Sequence, residues 1–255
     1  MMRILWRRLV AFLFTTALIV TGLTLSEQPA EAAPRPLKVS IANIGMAKKP
    51  RIGAILDKRP HVVVISEAKR ARTHLRTVGK RRGYRLRQYS KKHGEEAPNM
   101  ALLIRKDVRI VDQRLLRMSE PWWYNGNKRK PRRYPVIKVR VNGKQWNVIG
   151  VHFPPGGPDG GGSKTGGRNG PAWRESKRAI QRYAANHPKA RVVAAGDFNG
   201  THRECVRHFP GFRVKQGGKV DHAMAKKDRG VRFVWVKRHR PKVGHGWFTF
   251  KLRAT

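Results

Sequence analysis

Three of the chain's few acidic residues stand directly beside short apolar stretches. Glu67 follows HVVVIS (61–66), Asp197 follows RVVAAG (191–196), and Asp221 follows Val220. Asn43 and His152 close two further runs in the same way, and His245 lies just before the last one. Strand ends are where a rigid sheet can present polar groups to one shared cleft. Oxygen donors from Glu, Asp and Asn, joined by two histidines and no cysteine, suit a hard cation such as Mg²⁺ or Ca²⁺ together with acid–base chemistry. Taken singly, each residue has an ordinary explanation as a cap, a turn or a surface charge. Six in this arrangement point to a site.

The elements that must carry them are legible in outline. Runs 37–43, 61–66, 99–105, 134–141, 145–152 and 191–196 are rich in Val and Ile and bounded by Gly, Pro or charge, which predicts strands. Runs 231–236 and 247–252 close the chain in the same manner. Helices are expected over 50–58, 71–82 and 171–186, the last with Trp173, Ile180 and Tyr183 at helical spacing and Pro188 beyond its end. Many strands with few helices predict an α/β sandwich, two mixed β-sheets packed face to face with helices outside. Two segments read as loops. Residues 156–170 are Gly-rich, but Ser163 stands where a phosphate-binding P-loop needs Gly, so a lid or a linker is expected. Residues 119–133 interleave Trp122, Trp123 and Tyr124 with Lys128, Arg129, Lys130, Arg132 and Arg133. That mixture suits base stacking and phosphate contact, or else a solvated basic loop whose tryptophans tuck into the core.

Composition narrows the partners. The 255 residues include 57 Lys and Arg against 15 Asp and Glu, a formal net charge of +42. The single cysteine, Cys205, excludes an intramolecular disulfide framework, a Cys-rich zinc module and an iron–sulfur cluster. Residues 1–32 read as a secretory signal: Arg3, Arg7 and Arg8, then the uncharged stretch 9–25, then Ala30-Glu31-Ala32. An uncleaved anchor is the other option, but the stretch is short for a span of roughly 20 residues. Cleavage leaves 33–255 as one secreted domain with 54 Lys and Arg against 13 acids. Such charge repels itself, which argues for a monomer and for a polyanion as partner: nucleic acid, an anionic membrane or an envelope polymer.

The segments IAN (41–43), VVVISEA (62–68), GVHFPP (150–155), AAGDFNG (194–200), VDHAMA (220–225) and GHGWFTF (244–250) resemble, in order and spacing, the endonuclease/exonuclease/phosphatase superfamily. Its members include pancreatic-type deoxyribonucleases, exonuclease III-like repair enzymes and neutral sphingomyelinases. The resemblance implies a four-layered α/β sandwich and metal-dependent hydrolysis of phosphoesters. It makes Asn43 and Glu67 metal ligands, with Mg²⁺ ahead of Mn²⁺ and Ca²⁺, and sets Asp197 and Asn199 against the scissile phosphate, the nucleophilic water or a second ion. His245 then activates water or stabilises the transition state, Asp221 orients His245, and His152 protonates the leaving oxygen. One position departs from the pattern: Gly244 stands where the family carries an aspartate, which puts a second ion in doubt. The charge selects nucleic acid among the superfamily's substrates, DNA ahead of RNA by analogy. Two other readings stay open, a phospholipid or sugar-phosphate phosphodiesterase and a non-catalytic nucleic-acid- or envelope-binding protein on the same scaffold.

Overall fold

The computed structural model describes residues 36–45, 52–94, 96–161, 167–239 and 246–254. The expected signal over 1–32, together with Gly244 and His245, lies outside the described residues. Two six-stranded sheets carry the fold. The first uses β1 (Leu37–Asn43), β2 (Val62–Ser66), β3 (Tyr84–Arg87), β4 (Met100–Arg105), β13 (Val231–His239) and β14 (Trp247–Ala254), in the order β13-β14-β1-β2-β4-β3. The second uses β5 (Arg109–Arg117), β8 (Arg133–Val141), β9 (Lys144–His152), β10 (Arg191–Asp197), β11 (Phe212–Gln216) and β12 (Asp221–Lys226), in the order β11-β12-β10-β9-β8-β5. Each sheet is mixed, with one central parallel pair, β1–β2 or β9–β10, flanked by antiparallel neighbours.

Strand alternation explains the layering. Val39, Ile41, Val62, Val64, Leu102 and Ile104 join the cluster that also holds Val148, Val136 and Val193 of the second sheet. Their neighbours of opposite parity, Val63, Ile65, Ala101 and Leu103, pack instead on Ile52, Ile55 and Leu56 of α1 (Ile52–Asp57) and Leu75 of α2 (Arg72–Arg81). Burial on both faces is why β2 reads as an unbroken apolar run. The sheets approach closely at Gly150, where a Cβ would sit 3.2 Å from Met100 and Val64 side-chain carbons. On the far side of the second sheet lies α3 (Gly170–Ala185), which buries Trp173, Ile180 and Tyr183 at the helical spacing read from the sequence. The result is the expected α/β sandwich.

Several elements differ from the sequence reading. Residues 119–133 are not one loop: β6 (Trp122–Tyr124) and β7 (Asn127–Arg129) form a hairpin. Asn125 and Gly126 at its tip have φ of 49° and 74°, the doubly left-handed turn that an Asn-Gly pair favours. β5 and β11 are not legible in the sequence because most of their exposed positions are charged or polar, which breaks any apolar run. α4 (His202–His208) starts at a capping box, with Thr201 accepting from the Glu204 backbone N–H while the Glu204 carboxylate accepts from the Thr201 N–H. The described parts of the Gly-rich segment are packed, not a free linker: Arg174 donates to the Pro158 carbonyl at 2.7 Å, and Gly157 and Gly160 are buried.

Candidate active site

β1 and β2 are parallel and end together, pairing Asn43 with Ser66 and setting Glu67 immediately beyond. In the second sheet, the parallel β9 and β10 end on His152 and Asp197, which are register partners. Asp221 comes from the other direction. It opens β12 where an apolar run was expected to end, and because β12 runs antiparallel to β10, its first residue pairs with Asp197, the last of β10. Five of the six candidate residues, Asn43, Glu67, His152, Asp197 and Asp221, thereby sit at strand ends or one residue beyond.

The side chains interlock across the two sheets. Asn43 donates through Nδ2 to Glu67 Oε1 at 3.0 Å and to Asp197 Oδ2 at 3.2 Å, while its Oδ1 accepts from the Gly45 N–H at 3.0 Å. His152 Nε2 lies 3.9 Å from the same Asp197 Oδ2. The other Asp197 oxygen accepts from the Asn199 N–H at 2.8 Å. Asn43, His152, Asp197 and Asp221 are buried, and Glu67 is half-buried. Burial pushes the Asp197 carboxyl up, to about 6, against the Asn199, Asn43 and Arg132 groups that favour its charge. Burial and the neighbouring Asp197 charge push Asp221 further, to about 8, with Arg238 opposing. The two carboxyls titrate as a pair.

Special backbone geometry aims these groups. Glu67 and Asn199 have left-handed φ of 58° and 47°, the kind of strain that concentrates at functional sites. Gly196 has φ 142°, and a Cβ there would lie 2.1 Å from the Val151 carbonyl oxygen, so the residue before Asp197 must be glycine. The turn after Asp197 is held from below: the Trp173 indole N–H donates to the Phe198 carbonyl at 2.8 Å, and His222 Nε2 lies 2.9 Å from the Gly200 carbonyl.

The basic segment divides into interior and surface. Trp122 and Arg132 are buried, and the Arg132 guanidinium stacks 4.0 Å from the Trp122 ring centroid. Arg132 also donates to the carbonyls of His152 and Phe153, and the Tyr134 hydroxyl donates to that of His152. The Phe153 carbonyl further accepts from Asn199 Nδ2 at 2.8 Å. Trp122 and Arg132 are therefore corrected from surface stacking and phosphate contact to interior positions, because both are buried, the guanidinium Nη1 donates to two carbonyls and its face lies on the indole ring, with Nε left without an acceptor. The burial of Trp122 agrees with the second of the two sequence readings of this segment, whereas nothing in the sequence marks Arg132 as interior. Trp123 is half-buried, with its backbone N–H and C=O tied to Asn169 at 2.6 and 2.9 Å and Arg168 over its ring. Lys128, Lys130 and Arg133 are exposed and Arg129 is half-exposed. Asn169 itself, fully buried and also bonded to the Pro155 carbonyl at 3.0 Å, is a hub that sequence reasoning missed.

Among the described residues, no group of three or more His, Cys, Asp or Glu side chains surrounds a common point that would hold an ion. The donors present are two carboxylate oxygens, from Glu67 and Asp197, converging on one amide. That set falls short of a zinc-type cage; a hard cation that keeps most of its water needs only one or two protein carboxylates.

No family model and no curated protein matches the chain. Solved structures do. An endonuclease/exonuclease/phosphatase from Bacteroides vulgatus superposes with a TM-score of 0.64 at 15% identity, covering 86% of this chain and 99% of the other. The chain has the endonuclease/exonuclease/phosphatase fold. Sphingomyelinase C from Streptomyces griseocarneus shares that fold with a TM-score of 0.63 at 13% identity, over 85% and 99% of the two chains. So does D. rerio TDP2 complexed with single-strand DNA product, at 0.59 and 12% identity, over 86% and 99%. Within the endonuclease/exonuclease/phosphatase fold of this chain, the buried acids of the second sheet meet Asn43 and Glu67 of the first at a single edge.

Proposed function

We propose that the chain is a secreted, metal-dependent phosphodiesterase acting on nucleic acid, DNA ahead of RNA. The observation that carries this is the meeting of Glu67, Asp197 and Asn43 across two sheets, beside His152 and Asp221, in a chain whose remaining surface is overwhelmingly basic. Glu67 and Asn43 would hold a divalent ion, with Asn43 turning its oxygen inward. Bound there, the ion would neutralise phosphate oxygens and the charge developing in an in-line displacement. The remaining work belongs to the side chains. Asn199 and Asp197 orient the phosphate and the attacking water. His152, its carbonyl fixed by Arg132 and Tyr134, presents its ring to Asp197 and delivers a proton to the leaving oxygen. Asp221 orients His245, which activates the water. The exposed cations Lys128, Lys130 and Arg133, with Arg129 and Trp123, bind the strand from the hairpin side. Residues 1–32 direct export, and the mature protein is a monomer.

Supercoiled plasmid incubated with the protein and Mg²⁺ tests this directly. Nicked and then linear DNA is expected, and a chelator should abolish both products. Intact plasmid under every metal condition would sink the nuclease reading. The likeness to a sphingomyelinase C supports one competitor, so the same protein should be offered sphingomyelin vesicles. Release of phosphocholine with plasmid left intact would replace nucleic acid by lipid as substrate.

A further inference from the structure

Several of the chain's cations line a cavity. A cleft of about 680 Å³ opens between the β8–β9 turn and the segment joining α3 to β10. Lys138, Lys144, Lys189 and Arg191 form its walls together with His187 and Asn147, and no acidic residue, Trp, Tyr or Phe lines it. Lys144 opens β9 and Arg191 opens β10, the strands that end on His152 and Asp197. At about 3.3 Å per residue, the cleft is about 20–26 Å from the catalytic residues, at the opposite end of the same sheet.

The walls are built and the charges are uncompensated. Asn147 is buried and bonded to the Tyr183 hydroxyl at 3.0 Å. His187 is stacked on the Tyr183 ring at 4.1 Å and fixed at both nitrogens, by the Tyr183 carbonyl and by Arg114. Among the described residues, none of Lys138, Lys144, Lys189 and Arg191 makes an ion pair. The Arg191 Nε is shut from solvent without an acceptor. Like charges on a concave wall raise one another's energy and focus their field on the space between them, which an anion relieves.

We propose that this cleft is a second phosphate-binding site, holding neighbouring phosphates of a phosphodiester or oligophosphate chain. It supplies charge and N–H donors but no Trp, Tyr or Phe face, so it reads phosphate and not base. That the chain held there is the same nucleic acid cleaved at the opposite end rests on the proposed function; the cleft's affinity for phosphate does not.

Calorimetric titration of the whole protein with inorganic tripolyphosphate, in chelator, tests the site apart from catalysis. The triple variant Lys144→Gln/Lys189→Gln/Arg191→Gln should bind about tenfold or more weakly. A charge-matched control on the exposed face of α2, Arg72→Gln/Arg76→Gln/Lys80→Gln, should lose no more than about threefold. Equal losses would show that net charge alone binds the anion, and would overturn the proposal. Should the triple variant fail to fold, pyridoxal phosphate labelling of the wild type replaces it. Tripolyphosphate should protect Lys144 and Lys189 and leave Lys80 reactive, and uniform protection overturns the site. A short oligo(dT) strand then separates the sources. A tenfold loss for DNA as well identifies a nucleic-acid backbone, and a loss for tripolyphosphate alone identifies free oligophosphate.

Discussion

β9 and β10 carry opposite chemistry at their two ends. At the carboxyl ends, Asp197 pairs in register with His152 on one side and Asp221 on the other, all three buried. At the amino ends, Lys144 and Arg191 help line a cleft that contains no acid. With 54 Lys and Arg against 13 acids in residues 33–255, a basic wall is the background composition of this protein. An adjacent pair of buried aspartates is a departure from it. By the proposal above, the cationic end would bind polyanions through its charge. The acidic end holds two carboxyls that burial and mutual repulsion push upward. Under the proposed function the difference would separate capture from chemistry, with long-range attraction distributed over the surface and the reaction held at the edge where Asp197 and Asp221 meet.

The largest expected effect breaks the acidic end. Asp221→Asn and His245→Ala should each lower turnover by roughly 10²–10⁴-fold, and the double variant should cost far less than the product. Independent, multiplicative losses in steady-state kinetics would show that the two do not act as a unit. Next, Glu67→Gln replaces a charged oxygen donor by an amide and should raise the Mg²⁺ concentration for half-maximal rate by about 10–100-fold. An unchanged metal titration would remove Glu67 from the ligand set.

The same aspartate sharpens the comparison through stability. The Asp221 carboxyl lies near 8 in the folded chain, above the ordinary carboxylate value of about 4 in the unfolded one. Between those values the folded state keeps a proton that the unfolded chain has released, so stability is greatest below the window and is lost as pH rises through it. Asp221→Asn removes that loss. Its Tm in chelator should exceed the wild type's by a margin that grows from pH 5 to pH 8 to about 4 °C or more. A constant margin would mean that Asp221 is not a strained acid. The smallest effect concerns the cations near the site. Neutralising Lys128, Lys130 and Arg133 should flatten the slope of log affinity for DNA against log salt by about 2–3 units while leaving Tm within a degree or two. Arg132→Gln, by contrast, should lower Tm without a matching change in slope, since its guanidinium is spent on the His152 and Phe153 carbonyls. Equal behaviour of the two variants would return Arg132 to the surface set.

Much of this arrangement can be read from the residues in line. β1, β2, β4 and β10 are predicted almost to the residue because they are buried on both faces and short apolar stretches have few alternatives. Asn43, Glu67, His152 and Asp197 are legible for the same reason, as polar residues that interrupt such runs. Asp221 opens β12 and does not close a run, since Val220 is a poor guide to the run that follows it. β5 is not legible because five of its nine residues are polar or charged. The Trp122–Arg132 pair was misplaced because an arginine among four other cations looks solvated until its acceptors are known.

Local pattern thus settled the strands that are buried on both faces, the polar residues that interrupt them and the basic surface, because side-chain periodicity and charge belong to a segment and its solvent alone. Tertiary structure decided that β12 runs antiparallel to β10, that Glu67 and Asp197 share one amide across two sheets, and that Arg132 turns inward while Lys128 does not. Those outcomes depend on register and on carbonyls, rings and carboxylates supplied by residues tens of positions away. No window of the sequence contains both partners, so only packing brings them together.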